Sequence, residues 1–141
     1  MSEEAQIAAQ IAAQNEELVR QFFATLSTGD LELIRATLHP EASWTPMVKN
    51  IPGAGVHTPR DVIVDEFLAP VRGIFEDGDP KSIVLNVFAK GSVVCAETNG
   101  RGQLRNGNEY NNLYCWVIEI KDGLVYAIRE YMDSHYVMSV V

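Results

Sequence analysis

The chain has 141 residues, a length that suits one domain with one core and buries roughly two-thirds of the unfolded surface on folding. Apolar types make up 47% of it and charged types 21%, which excludes the charge-rich, apolar-poor composition of a disordered chain. Eleven Lys and Arg against nineteen Asp and Glu give a net charge of -8, which repels phosphate backbones and anionic lipid heads and excludes nucleic acid and membranes as expected partners. No apolar run approaches membrane-spanning length, and the opening MSEEAQIAAQ has acids where a secretory signal would be basic, so a cytoplasmic protein is expected. Cys95 and Cys115 fit no metal-ligand spacing and sit in apolar runs, where a reduced thiol packs as a small hydrophobe.

Ile7, Ile11, Leu18, Phe22, Phe23 and Leu26 recur near the helical period and predict a first helix from Glu3 to Leu26, with residues 1–12 as a frayed extension of the single domain 1–141. Asp30 then offers an N-cap for a second helix, Leu31 to Leu38, which His39-Pro40 closes. Ala42 to Val48 reads as a short strand carrying Trp44, followed by a loop with Gly53 and Gly55. Thr58-Pro59-Arg60-Asp61 reads as a Thr cap, a Pro at the first helical position and an acid three residues on. A helix from Pro59 to about Phe75 follows, interrupted at Pro70.

From Ser82 the period becomes that of strands: Ile83 to Ala89, Ser92 to Leu104, Tyr110 to Lys121 and Leu124 to Met132, an antiparallel meander. Asp122-Gly123 predicts a two-residue type I′ turn that pairs Lys121 with Leu124. Counted back without interruption, that register sets Trp116 opposite Arg129, Tyr114 opposite Tyr131 and Asn112 opposite Asp133 on one face. Cys115, Val117, Ile128, Glu130 and Met132 fall on the other, an apolar outer face that predicts a homodimer.

Helices, one short strand, another helix and a long meander running through YNNLYCWVIEIKDGLVYAIREYMD (Tyr110 to Asp133) resemble the SnoaL-like and ketosteroid-isomerase-like branch of the nuclear transport factor 2-like superfamily. The resemblance implies an α+β, cone-shaped fold in which N-terminal helices pack on a curved antiparallel sheet around an apolar pocket. It spans isomerases, epoxide hydrolases, dehydratases, polyketide cyclases and binding domains, so it does not by itself give a reaction. Where limonene-epoxide-hydrolase-like relatives use two aspartates and an arginine, this chain has Asn99, Asp133 and Glu97, a broken set. Where ketosteroid-isomerase-like relatives place a base and a tyrosine, it has Thr45-Pro46 and Phe22.

The comparison places a working aspartate at Asp133, where burial in an apolar pocket would raise the carboxyl pKa into the acid/base range; an N-cap where the strand leaves the sheet is the alternative. Glu97 shares parity with Asn99 and Arg101 and reads as a second carboxylate, splitting its titration from that of Asp133 if the two face each other. Arg129 would pair with one of them. Trp44, Tyr114, Trp116 and Tyr131 form an aromatic set suited to a flat apolar ligand or to plain core packing, with Asn99, Asn112 and His57 as polar handles. No metal spacing, P-loop or dinucleotide motif is present, so neither metal nor cofactor is expected. Two functions are consistent with this pattern. One is a cofactor-independent acid/base enzyme, of isomerase, hydratase/dehydratase or epoxide-hydrolase type, acting on a small apolar oxygenated molecule. The other is a non-catalytic domain that binds a hydrophobic ligand.

Overall fold

The computed structural model describes residues 2–141. Helix α1 (Glu3–Thr28) begins where the Ser2 hydroxyl accepts from the Ala5 N–H and ends at Gly29. There φ is 70° and the glycine N–H returns to the Leu26 carbonyl, a left-handed cap that a side chain would strain. Its first half is exposed, Ile7 and Ile11 included, while Val19, Phe22, Phe23 and Leu26 are buried. Helix α2 (Leu31–Thr37) starts on the expected cap, with Asp30 Oδ1 accepting from the N–H groups of Glu32 and Leu33 at 3.0 and 3.1 Å. The helix does stop before His39-Pro40. Strand β1 (Leu38–Pro46) then begins at once, because the extended backbone that a proline imposes on its predecessor is already strand geometry.

The helical stretch over 60–73 differs from expectation at its start. Thr58 is not its cap: its hydroxyl donates to the Ala42 carbonyl at 2.8 Å, and Pro59 holds the cap position without a side-chain bond. The stretch runs as α3 (Arg60–Val62), a π-helical segment (Ile63–Leu68) and α4 (Ala69–Gly73). Pro70 has no N–H to give the Glu66 carbonyl and crowds it, and the wider turn just before Pro70 absorbs the misfit. Arg35 ties α2 to this stretch through Asp61 at 2.7 Å and Asp65 at 2.6 Å.

Strands β2 (Lys81–Lys90), β3 (Val93–Gln103), β4 (Glu109–Lys121) and β5 (Leu124–Met132) form the antiparallel meander, and β1 joins it parallel to β5. The result is a mixed, curved, unclosed sheet in the order β1-β5-β4-β3-β2, with α1 packed on β2 and β3. Asp122 and Gly123 take φ of 55° and 72° and pair Lys121 with Leu124, as the type I′ turn requires. The register then departs from the uninterrupted count. Ile120 pairs with Val125 but Glu119 pairs with Ala127, leaving Tyr126 as an extra residue in a bulge. From there Trp116 faces Glu130, Cys115 faces Tyr131 and Tyr114 faces Met132, so β5 presents its alternate set to the core.

That slip corrects several expectations at once. Ile128, Glu130 and Met132 point inward, and Arg129 and Tyr131 point out. Glu97, Asn99 and Arg101 also lie on the outer face, because Ala96, Thr98 and Gly100 must leave room inside for aromatic rings. Trp116 Nε1 donates to Thr98 Oγ1 at 2.9 Å, and a Cβ on Gly100 would sit 2.8 Å from the Tyr114 ring. Beyond β5 the chain forms α5 (Ser134–Val140), unexpected from the sequence, whose Val137 and Met138 close over the concave side of the sheet. No helix among the described residues is long and apolar enough to cross a membrane.

Candidate functional site

The concave face of the sheet, the loop over 47–57, the helical stretch over 60–73 and α5 enclose a cavity of about 460 Å³. Its wall is largely apolar and aromatic, with Trp44, Phe67, Tyr114, Trp116 and Met132 among the side chains that line it. The rings pack on one another: Trp44 meets Trp116 edge to face with centroids 5.7 Å apart, and Tyr114 stacks on Trp116 at 5.3 Å. Such an arrangement fixes the wall rather than leaving it to collapse.

Two carboxyl groups reach that wall: Glu66 stands exposed at it, and the buried one belongs to Glu130. The residue is 9% exposed, and its Oε1 accepts the Trp44 indole N–H at 2.7 Å. Among the described residues no hydrogen-bonding group meets Oε2 and no buried side-chain oxygen lacks a partner, so Oε2 opens on the cavity. Burial pushes the Glu130 pKa up to about 7 against the smaller, opposite pull of the Trp44 N–H. A group with that pKa can both take and give a proton near neutrality.

Two phenols share the cavity with it. Tyr114 is a diagonal cross-strand neighbour of Glu130 on the inner face, about 7–8 Å away at the α-carbon. Its hydroxyl makes a short hydrogen bond with that of Tyr110, which in turn receives the Asn112 Nδ2–H at 3.2 Å. Burial raises both tyrosine pKa values, and the nearby Glu130 charge adds to the effect. Both phenols are therefore protonated donors at neutral pH.

The other expected site residues fall into two groups. Trp44, Tyr114, Trp116 and His57 line the cavity. His57 stacks on Phe67 with centroids 4.0 Å apart, and its Nε2 bonds the Gly53 carbonyl at 2.7 Å, so it fastens the 47–57 loop. Asn112 is buried behind Tyr110, with its amide spent on Tyr110 and the Asp133 carbonyl. Asp133 is exposed, and its Oδ1 caps α5 by accepting from the Tyr136 N–H at 3.0 Å. Glu97 bonds Asn86 on the outer face. Asn99 bonds Asn111 and the Asn112 carbonyl. Arg129 pairs with Glu119 at 2.5 Å rather than with Glu97 or Asp133, and Tyr131 is exposed. The sequence reading thus missed Glu130 and Tyr110. The signal for Glu130 was there: Val125 and Ile128 are both strongly apolar yet of opposite parity, which only a bulge between them reconciles.

Gly100 gives the cavity a testable wall. Gly100→Ala is expected to push the Tyr114 ring against Trp116 and to lower stability by about 1–3 kcal/mol. Urea unfolding followed by tryptophan fluorescence measures it.

Solved structures share this architecture. Bal32a, from a soil-derived mobile gene cassette, is 27% identical over 89% of this chain and 94% of its own, with a TM-score of 0.76. A SnoaL-like polyketide cyclase assigned in Jannaschia sp. CCS1 is 20% identical over 93% of each chain at 0.77. An M. tuberculosis protein described as an LEH-like epoxide hydrolase is 16% identical over 91% of this chain and 89% of its own at 0.71. A search of curated proteins finds no match. The SnoaL-like domain family matches residues 19–128, the span from the buried half of α1 to the middle of β5 with Trp44, Phe67, Tyr114 and Trp116 of the cavity wall, and the chain belongs to that family.

Proposed function

We propose that the chain is a cofactor-independent acid/base enzyme that moves a proton at the carbon beside a carbonyl group in a small, apolar, oxygenated compound. The observation that carries this reading is Glu130: a buried carboxyl in an aromatic cavity, one oxygen held by Trp44 and the other open, titrating near pH 7. Glu130 takes the proton from carbon as a carboxylate and returns it as an acid. Tyr114 donates to the oxygen on which the enolate charge develops, as a preorganised donor in a water-poor site. The aromatic wall holds a flat substrate between the two. A proton shuttle of this kind closes on itself, without a redox or electrophilic helper. The free thiols Cys95 and Cys115 fit residence in the reducing cytoplasm.

The test is deuterium incorporation from D2O at the α-carbon of small cyclic ketones, 1-indanone among them, followed by proton NMR. Exchange above the buffer rate supports the enzyme. Tryptophan quenching by the same ketones without exchange would favour a domain that binds a hydrophobic ligand and does no chemistry on it.

The same proposal includes a homodimer through the outer sheet face. Cys115 and Val117 lie there as expected, joined by the exposed Ile83, Phe88, Leu113 and Tyr131, whereas Ile128 and Met132 belong to the inner face. A contiguous apolar patch of this kind on a sheet face is stabilised by covering, and a second copy of the same face is the simplest cover. Sedimentation is expected to give a dimer at micromolar concentration and a monomer for Leu113→Asp with Phe88→Asp. A monomeric wild type would contradict it.

A further inference from the structure

We infer that Asn112 is a positioning residue that fixes the direction of the hydroxyl protons of Tyr110 and Tyr114, so that the Tyr114 proton is aimed into the cavity; this rests on the reading of Tyr114 as the donor to substrate. The inference follows from which atoms can only donate. Asn112 is 4% exposed and is not part of the cavity wall. Its Nδ2 lies 3.3 Å from the Asp133 carbonyl oxygen, an atom that only accepts, and this pins the amide with its nitrogen toward Tyr110. The second bond of the same nitrogen, at 3.2 Å, ends on the Tyr110 hydroxyl oxygen, which is thereby an acceptor.

Tyr110 must then place its own proton elsewhere. Among the described residues its hydroxyl meets only Asn112 and Tyr114, and Asn112 offers it no lone pair. Tyr110 therefore donates to Tyr114, and Tyr114, now an acceptor from behind, has its proton free for the cavity. The chain runs Asn112 to Tyr110 to Tyr114 to ligand oxygen, each bond polarising the next. Removing the Asn112 donor frees Tyr110 to accept from Tyr114 instead, which turns the Tyr114 proton inward. Making residue 112 an acceptor reverses the chain outright.

The experiment reads the bond itself. 1-Indanone labelled with carbon-13 at the carbonyl is bound at saturation, and its carbonyl stretch is recorded by isotope-edited infrared spectroscopy. Wild type is expected to shift the stretch to lower frequency, and Tyr114→Phe to abolish the shift. Asn112→Leu removes the donor at similar size, and Asn112→Asp keeps the shape while replacing donor by acceptor. Both are expected to lose the shift while indanone still binds, and to lower kcat with little change in KM. A shift retained in a folded Asn112 variant and lost in Tyr114→Phe would overturn the inference and leave Asn112 a structural amide. A shift that survives Tyr114→Phe would instead overturn the donor reading on which the inference rests.

Discussion

Glu130→Gln is expected to abolish α-proton exchange, lowering kcat by roughly 100-fold or more, the usual loss when a positioned acid/base is removed. The substitution isolates the chemistry from the architecture. Glutamine has the same length, and its Oε1 can accept the Trp44 N–H as the carboxyl does, so the cavity wall stays in place. Ketone binding read by tryptophan quenching should therefore change little while turnover disappears. In wild type, kcat/KM should rise with pH through about 7 as Glu130 becomes the base. A mutant retaining a tenth or more of the activity would remove Glu130 from the mechanism. Asp133→Asn serves as the contrast, because that side chain caps α5 outside the cavity, and its exchange rate should stay within a few-fold of wild type.

The same substitution has a large and opposite effect on stability. A carboxyl that titrates at about 7 in the folded chain against an ordinary value of 4.5 binds its proton more tightly when folded than when unfolded. Its contribution is therefore fully present below the unfolded value and is lost as pH rises through the folded one. A shift of this size corresponds to about 3 kcal/mol. Relative to wild type, Glu130→Gln should gain about that much between about pH 4 and pH 8. Urea denaturation of both proteins at the two pH values measures the change. A difference that stays constant with pH would mean that burial does not hold the proton on Glu130. A stability cost carried by one unpaired acid is what a site residue imposes on its own fold.

Much of the fold could be read because its signals are local. The Asp30 cap, the helical period of Phe22, Phe23 and Leu26, and the Asp122-Gly123 turn each act within a few residues, and each appears where the sequence put it. The site could not be read in the same way, because its residues depend on parity, and parity depends on every residue between the turn and the site. A single extra residue at Tyr126 moved Glu130 inside and Arg129 and Tyr131 outside. The same distance from local signals explains α5, which rests on one cap at Asp133 and on contacts of Val137 and Val140 with the small cluster of Phe75, Leu104 and Tyr110. The family resemblance drew attention to Asp133, three residues from the carboxyl the cavity holds. Trp44, Tyr114 and Trp116 were found because aromatic residues on strands of this parity face inward whether or not β5 slips.

The most direct measurement is the titration of Glu130 itself. Protein labelled with carbon-13 at the glutamate side-chain carboxyl, with the Glu130 resonance identified by its loss in Glu130→Gln, is followed by NMR from about pH 4 to pH 9. A midpoint near 7 is expected from the buried, singly bonded carboxyl described here. A midpoint close to the ordinary value of 4.5 would show a hydrated carboxylate and contradict the assignment of Glu130 as the acid/base group of this cavity.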